Sequence, residues 1–285
     1  MIAPAVTPST PPTLKRMERI AFIGGGNMAS AIIGGLLKSG RSVNSLIVVE
    51  PFEAQRSKLK ADFGIIALPA ADESLKGADG VVWAVKPQLF SVAATPCAAH
   101  VSQALHLSVM AGIRSDSIAQ AVGSQRVVRA MPNTPALIGQ GISGLFARAA
   151  VSAAERLQIE ALLAPTGQML WVHQEADLDA VTALSGSGPA YVFYFIEAMM
   201  QAASDMGLSA AQGRQLALAT FAGSTALAQA SDEPAQILRE RVTSKGGTTF
   251  AALTAMETAG VKAAVVSAIR AAQNRARELG NEFGS

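Results

Sequence analysis

The chain has 285 residues, enough for about two domains, and half of them are hydrophobic, which fits a globular protein with a large interior. Its formal net charge of +2 is interspersed along the chain, so no nucleic-acid or membrane-surface partner is expected, and no apolar run nears the roughly 18 residues of a membrane span. A single cysteine, Cys97, excludes an intrachain disulfide framework and fits a reducing compartment, and the scattered His100, His106 and His173 make no metal site.

Residues 1–17 are rich in Pro and Thr and carry two basic side chains. They lack the apolar stretch of a secretory signal, so a disordered arm and a cytoplasmic location are expected.

From Arg19 onward, short apolar runs alternate with helical stretches. The runs are "RIAFIG" (19–24), "LIVVE" (46–50), "GVVWAVKP" (80–87), "LHLSVMAG" (105–112) and "RVVRAMP" (126–132). Nearly continuous apolar runs suit parallel strands covered on both faces, and the helical stretches near 28–40, 53–63 and 88–103 suit the crossovers. "GISGLFA" and "GQMLWV" could add strands, with a helix over 152–164 between them. The expected architecture is a doubly wound parallel α/β sheet.

After His173 the strand-like runs stop. Helices are expected near 176–185, 189–206, 209–230, 233–242, 248–259 and 261–280, with Gly207, Gly260 and Gly280 at their C-caps. The domain boundary is placed at 170–176, giving a dinucleotide-binding domain over 18–172 and an all-helical domain over 173–285. The segment "AYVFYFIEAMMQAA" (190–203) has almost no polar face, so it is either an internal helix or one packed against a second subunit.

The first strand runs into "GGGNMA". Gly24, Gly26 and Ala29 fit the G-x-G-x-x-G/A pattern between a strand and a helix, with Asn27 and Met28 inside it. That pattern holds a dinucleotide pyrophosphate at a helix N-terminus, although glycine-rich turns also occur without a ligand. Glu50 ends the second run, where an acid would hold an adenosine ribose. Alone it favours NADH, and the nearby Arg56 complicates the choice between NADH and NADPH. "AVKPQ" places Val85, Lys86 and Pro87, and "RAMPNTP" places Met131, Pro132 and Asn133, at strand carboxyl ends where ligands of such sheets bind. The prolines could equally be strand terminators, and Lys86 a solvated lysine.

In the helical half, "VTSKGGTT" (242–249) sets hydroxyls, a lysine and two glycines before a helix. Lysine precedes the glycines, the reverse of a phosphate-binding G-K-[ST] loop. Thr248 or Thr249 is expected to be an ordinary N-cap. "SGSGPAY" (185–191) is either a helix–helix turn or a pocket-lining loop.

With "FIGGGNMA", "AVKPQ", "RAMPNTPALIGQG", "LSGSGPAYVF" and "VTSKGGTT" in this order, the chain resembles the pyrroline-5-carboxylate reductases, except that Lys245 stands where many members have proline. The resemblance implies a Rossmann domain, a helical domain that interlocks in dimers, and often a larger ring of dimers. It also implies NADPH- or NADH-dependent reduction of a cyclic imine, 1-pyrroline-5-carboxylate, to L-proline. It puts Ser244, Gly246, Gly247, Thr248 and Thr249 in the substrate pocket. The candidate catalytic residues are Thr249, whose hydroxyl would bond the imine nitrogen, with Ser244 and Lys86. A 3-hydroxyacid dehydrogenase would want a lysine base on a helix of the second domain, and only Lys245 and Lys262 are there, neither in a G-x-x-x-K helix. A non-catalytic dinucleotide sensor would not need the 244–249 loop.

Overall fold

The structure, a computed structural model, describes residues 17–283. The arm expected over residues 1–17 lies outside the described residues except for Met17. That side chain is buried, its sulfur standing where a side chain on Gly80 would have to go.

Seven strands form one sheet: β1 (Ile20–Ile23), β2 (Leu46–Val49), β3 (Gly80–Trp83), β4 (Leu105–Ser108), β5 (Val127–Met131), β6 (Gly141–Ala147) and β7 (Gly167–Trp171). Their order is β2-β1-β3-β4-β5-β6-β7. Every pairing is parallel except β5 with β6, where Val128 faces Ala147 and Met131 faces Gly144. The connection 132–140 is too short for the helical crossover that a parallel pair needs, so the chain turns back on itself. The sheet is therefore mostly, not wholly, parallel. Helices α1 (Asn27–Lys38), α2 (Glu53–Phe63), α3 (Phe90–Val101), α4 (Ser115–Val122), α5 (Ala153–Leu163) and α6 (Asp177–Val181) complete the order. The apolar core divides into two clusters. One is built around Phe22, Ile32, Ile33 and Leu107, the other around Ile23, Trp83, Phe90 and Ile118. Continuous apolar strands are what a sheet with two such clusters requires.

The chain divides into two compact units. The first runs to Val181 and takes in the residues from Ala276 onward; the second is Thr182–Arg275. Residues 173–181, beyond the boundary read from the sequence, pack in the first unit. There Glu175 accepts bonds from the Ser115 amide (2.6 Å), the Ser115 hydroxyl (2.6 Å) and the Arg129 guanidinium (2.7 Å), and Arg114 pairs with Asp179 at 3.2 Å. Burial alone would raise the Glu175 carboxyl, but the bonds from Ser115 and Arg129 outweigh it and hold the group below its ordinary 4.5. Its folded pKa thus lies below the unfolded one. The stability it contributes is complete above about pH 4.5 and disappears as the pH falls through the folded value. We expect Glu175→Gln to cost about 2 kcal/mol at pH 7, because the charge-assisted bonds are lost. The gap to the parent protein should narrow in urea denaturation carried down through pH 4.

His106 is buried and accepts a bond from the Trp83 indole at 3.1 Å on Nδ1. Burial, helped by the charge of Arg126, pushes its pKa down to about 4, which makes it a neutral core residue.

The second unit is helical: α7 (Gly188–Asp205), α8 (Ala210–Gln229), α9 (Ala235–Arg241), α10 (Thr248–Thr258) and most of α11 (Val261–Phe283), after a π turn at Thr182–Gly186. These are the helices expected from the sequence. Gly207 and Gly260 follow α7 and α10 in the left-handed conformation, as caps do. Gly280 corrects the reading: it lies inside α11, where a Cβ would come within 2.5 Å of the Arg114 guanidinium. It is a packing glycine. Small residues also bring α7 and α8 together, with Ala203 against Gly213. The large side chains are left outside: Phe193 is 59% and Tyr194 71% exposed, and Val192, Phe195 and Met199 are exposed as well. A face of this kind marks a surface that another protein surface covers.

Candidate active site

The chain leaves β1 for β2 on one side, while β3 pairs with β1 on the other. The crevice beyond their carboxyl ends is the switch point where such sheets bind ligands. Gly24 lies there with φ 94°, and a Cβ would stand 2.6 Å from the Ala84 carbonyl oxygen, so both conformation and space demand glycine. Gly26 is the N-cap of α1 without a side-chain bond, and nothing occupies the 4 Å around the position of its absent Cβ. No side chain caps the first amides of α1, which stand at the positive end of the helix dipole, and the space beside Gly26 is open, a cradle that fits a pyrophosphate. Asn27 is exposed, Met28 packs on the core and Ala29 is fully buried.

Glu50 differs from its expected posture. It is 5% exposed and turned inward, with Oε2 accepting the Gly25 N–H and Oε1 the Phe52 N–H, each at 2.9 Å. Leu68 bridges to Val49 and accepts the Glu50 N–H at 2.8 Å, closing that edge of the sheet.

On the other side of the switch point, Val85 packs on the second core cluster, Lys86 is exposed, and Pro87 opens a 3-10 turn, Pro87–Leu89. After β5, Met131 is half-buried and Pro132 buried. Asn133 holds its loop in place by accepting the Ile142 N–H on Oδ1 at 3.0 Å. All of these lie at strand carboxyl ends, as their positions in the sequence imply.

In the second unit, Val242–Gly247 links α9 to α10. Gly246 has φ 73°, which turns the chain, and the Gly247 N–H bonds the Ser244 carbonyl at 3.0 Å. The N-cap of α10 is Gly247, with no side-chain cap. This corrects the expectation that Thr248 or Thr249 caps the helix: both lie inside its first turn. Thr243, Thr254 and Thr258 satisfy their hydroxyls on backbone carbonyls four residues back, at 2.6, 2.8 and 2.8 Å. Ser244, Thr248 and Thr249 make no such bond among the described residues. An uncapped helix start beside three uncommitted hydroxyls offers N–H donors to a small anion and an O–H to a neighbouring polar atom. Thr249 is half-buried, and Ser244, Lys245 and Thr248 are exposed.

Sequence reasoning did not single out Gln55, whose Nε2 donates to the Gly25 carbonyl at 2.5 Å. Nothing in the local sequence signals a bond across 30 residues.

Residues 175–279 match the family described as pyrroline-5-carboxylate reductase dimerisation. Residues 19–112 match the one described as NADP oxidoreductase, coenzyme F420-dependent. A pyrroline-5-carboxylate reductase of Pseudomonas aeruginosa is 44% identical over 269 residues, covering 93% of this chain and 98% of its own. The solved pyrroline-5-carboxylate reductase of Coxiella burnetii aligns with a TM-score of 0.85 at 33% identity, over 93% of this chain and 99% of that one. Plasmodium falciparum pyrroline carboxylate reductase, solved with NADP bound, aligns with a TM-score of 0.83 at 29% identity, over 93% and 99%.

Proposed function

The chain belongs to the pyrroline-5-carboxylate reductase family, and on that premise we propose that the uncommitted hydroxyls and amides of residues 244–249 hold its substrate. The protein is an NAD(P)H-dependent oxidoreductase that reduces 1-pyrroline-5-carboxylate to L-proline, the closing step of proline biosynthesis. A protonated cyclic imine is already electrophilic at C5, so the site needs to position it more than to activate it. The reduced nicotinamide supplies the hydride when bound. The Gly24–Ala29 cradle holds the pyrophosphate, while Val85–Pro87 and Met131–Asn133 serve the nicotinamide end of the dinucleotide.

At the start of α10, the amides of Thr248 and Thr249, with the Ser244 hydroxyl, receive the substrate carboxylate. The Thr249 hydroxyl bonds the ring nitrogen and so fixes which ring carbon is presented. The observation that carries this reading is the absence of a side-chain cap at Gly247: a helix start with three free hydroxyls beside it leaves its own donors open. The two capped helices α5 and α8 close theirs with Ser152 and Ser209. The exposed aromatic face of α7 supports a homodimer formed through the helical unit, and we extend this to a ring of dimers on the family pattern. The single, buried Cys97 supports a cytoplasmic location.

Oxidation of NADPH and NADH by the purified chain should require pyrroline-5-carboxylate and should not occur with 3-keto acids. Turnover of 3-keto acids in place of the cyclic imine would transfer the chain to the hydroxyacid dehydrogenases.

A further inference from the structure

The linker Val109–Arg114 runs from the carboxyl end of β4 into α4, and two pieces of chain come to rest against its end. One is residues 175–181, just before the helical unit begins; the other is Ala276–Phe283, just after it ends. The earlier piece is held by polar bonds. Glu175 accepts the Ser115 N–H at 2.6 Å, and the buried Asp179 accepts Arg114 Nη2 at 3.2 Å and Nη1 at 3.5 Å. The later piece is seated by shape. A Cβ on Gly112 would stand 3.2 Å from the Leu279 carbonyl oxygen. A Cβ on Gly280 would stand 2.5 Å from Arg114 Nη2 and 2.9 Å from its Cζ. Phe283 packs on the second core cluster and lines a cleft with Pro87, Phe90, Ile113 and Ser117. Arg114 therefore touches both pieces at once, its Nη atoms on a carboxylate and its head against a helix backbone left bare by glycine.

Everything between these two pieces is the helical unit, which carries residues 244–249. A body joined to another by two stems of chain can swing on them unless the stems are fixed to each other. The earlier stem also runs straight into the π turn at Thr182–Gly186, a place where a helix bends. Resting on the reading that residues 244–249 hold the substrate, we propose that Arg114 is a positioning residue for hydride transfer. By pinning both stems of the helical unit to the β4–α4 linker, it fixes where that unit presents the bound imine to the nicotinamide. It acts through the chain and touches neither ligand. A planar guanidinium suits this place, because it bonds a carboxylate along its edge and still offers a flat face, which a lysine does not.

Single-turnover hydride transfer in the full chain tests this, with pyrroline-5-carboxylate and reduced cofactor both saturating and the nicotinamide absorbance as the signal. Arg114→Met should lower the rate constant about 10- to 100-fold, the scale of a roughly 1 Å misplacement, with amplitude and cofactor dissociation constant within about twofold of the parent. Arg114→Lys, which keeps the charge on Asp179, should recover part of the rate. Gly280→Ala keeps both ion-pair partners and favours helix, yet it should also slow transfer, because its methyl group parts the guanidinium from α11. This variant carries the test if Arg114→Met, which leaves Asp179 without its partner, does not fold. An arginine needed only for folding would lower the amplitude and leave the rate constant of the folded molecules unchanged. That result, or parent-like transfer in Gly280→Ala, would overturn the proposal. Thr249→Ala measured alongside keeps the two ideas apart. Slow transfer in Thr249→Ala beside parent-like rates in the Arg114 and Gly280 variants overturns the proposal and leaves the substrate reading standing. Parent-like transfer in Thr249→Ala overturns both.

Discussion

Thr249→Ala is expected to lower kcat/KM for pyrroline-5-carboxylate about 100-fold while leaving the dissociation constant of the cofactor within about twofold. The magnitude is that of removing one preorganised hydrogen-bond donor at a reacting centre. The selectivity follows from position. Thr249 lies in the helical unit, whereas Gly24–Ala29, the cradle proposed for the dinucleotide, belongs to the sheet unit. Thr249 has no structural duty to lose, since Gly247 is the N-cap and no side chain caps α10. The methyl group adds little to packing on a half-buried helix start, so the fold should tolerate alanine. Thr249→Ser should recover most of the rate, because it restores the hydroxyl and deletes only that methyl. Stopped-flow turnover together with cofactor titration separates the two quantities. Equal losses in cofactor binding and in kcat/KM would place Thr249 in the cofactor's site and remove it from the substrate's.

Much of the fold was legible because its determinants are local. Buried strands such as "IAFI" and "GVVW" are continuous apolar runs, and the helices of the second unit, four of them long, end in turns or glycines that the sequence shows. What the sequence hid depends on distant partners. The helix α4 went unread because Arg114, its N-cap, makes no side-chain cap. Its first amide is instead satisfied by Glu175, 60 residues away. Gly280 looked like a cap because glycine usually ends a helix, yet here the smallness of the residue admits Arg114, again a tertiary reason. The antiparallel turn from β5 to β6 was hidden in "PNTPALIGQG", where two prolines and two glycines show that the chain bends but not which way it returns. At the site, the glycine pattern pointed to the cradle, since a turn of that shape admits few residue types. The inward rotation of Glu50 could not be read, because it depends on two amides, one of them 25 residues back along the chain.

The second large effect is expected from Phe193→Asp, which should dissociate the assembly and unfold the helical unit with it. Within the single chain, α7 buries one side chain, Ala203, and α9 and α10 bury none, so this unit has almost no interior of its own. Its apolar mass, including Phe193, Tyr194, Phe195 and Met199, can leave water only against a second copy. Each such side chain contributes about 1.5–3 kcal/mol when buried, and a carboxylate at the same place adds the cost of desolvating a charge without a partner. A loss of several kcal/mol raises the dimer dissociation constant by more than about 1000-fold. Sedimentation should then show monomer at micromolar concentration, and circular dichroism should show helix lost well below the parent protein's melting temperature. Turnover should vanish with the 244–249 loop. The sheet unit, whose two core clusters are closed within one chain, should still bind the dinucleotide. Phe193→Leu, which keeps the apolar surface, should remain dimeric and active. A Phe193→Asp protein that sediments as an intact dimer with an unchanged melting temperature would mean that α7 faces solvent in the assembly, and the interface would have to be sought on α8 or α11, where Leu216, Leu227 and Val266 are also exposed.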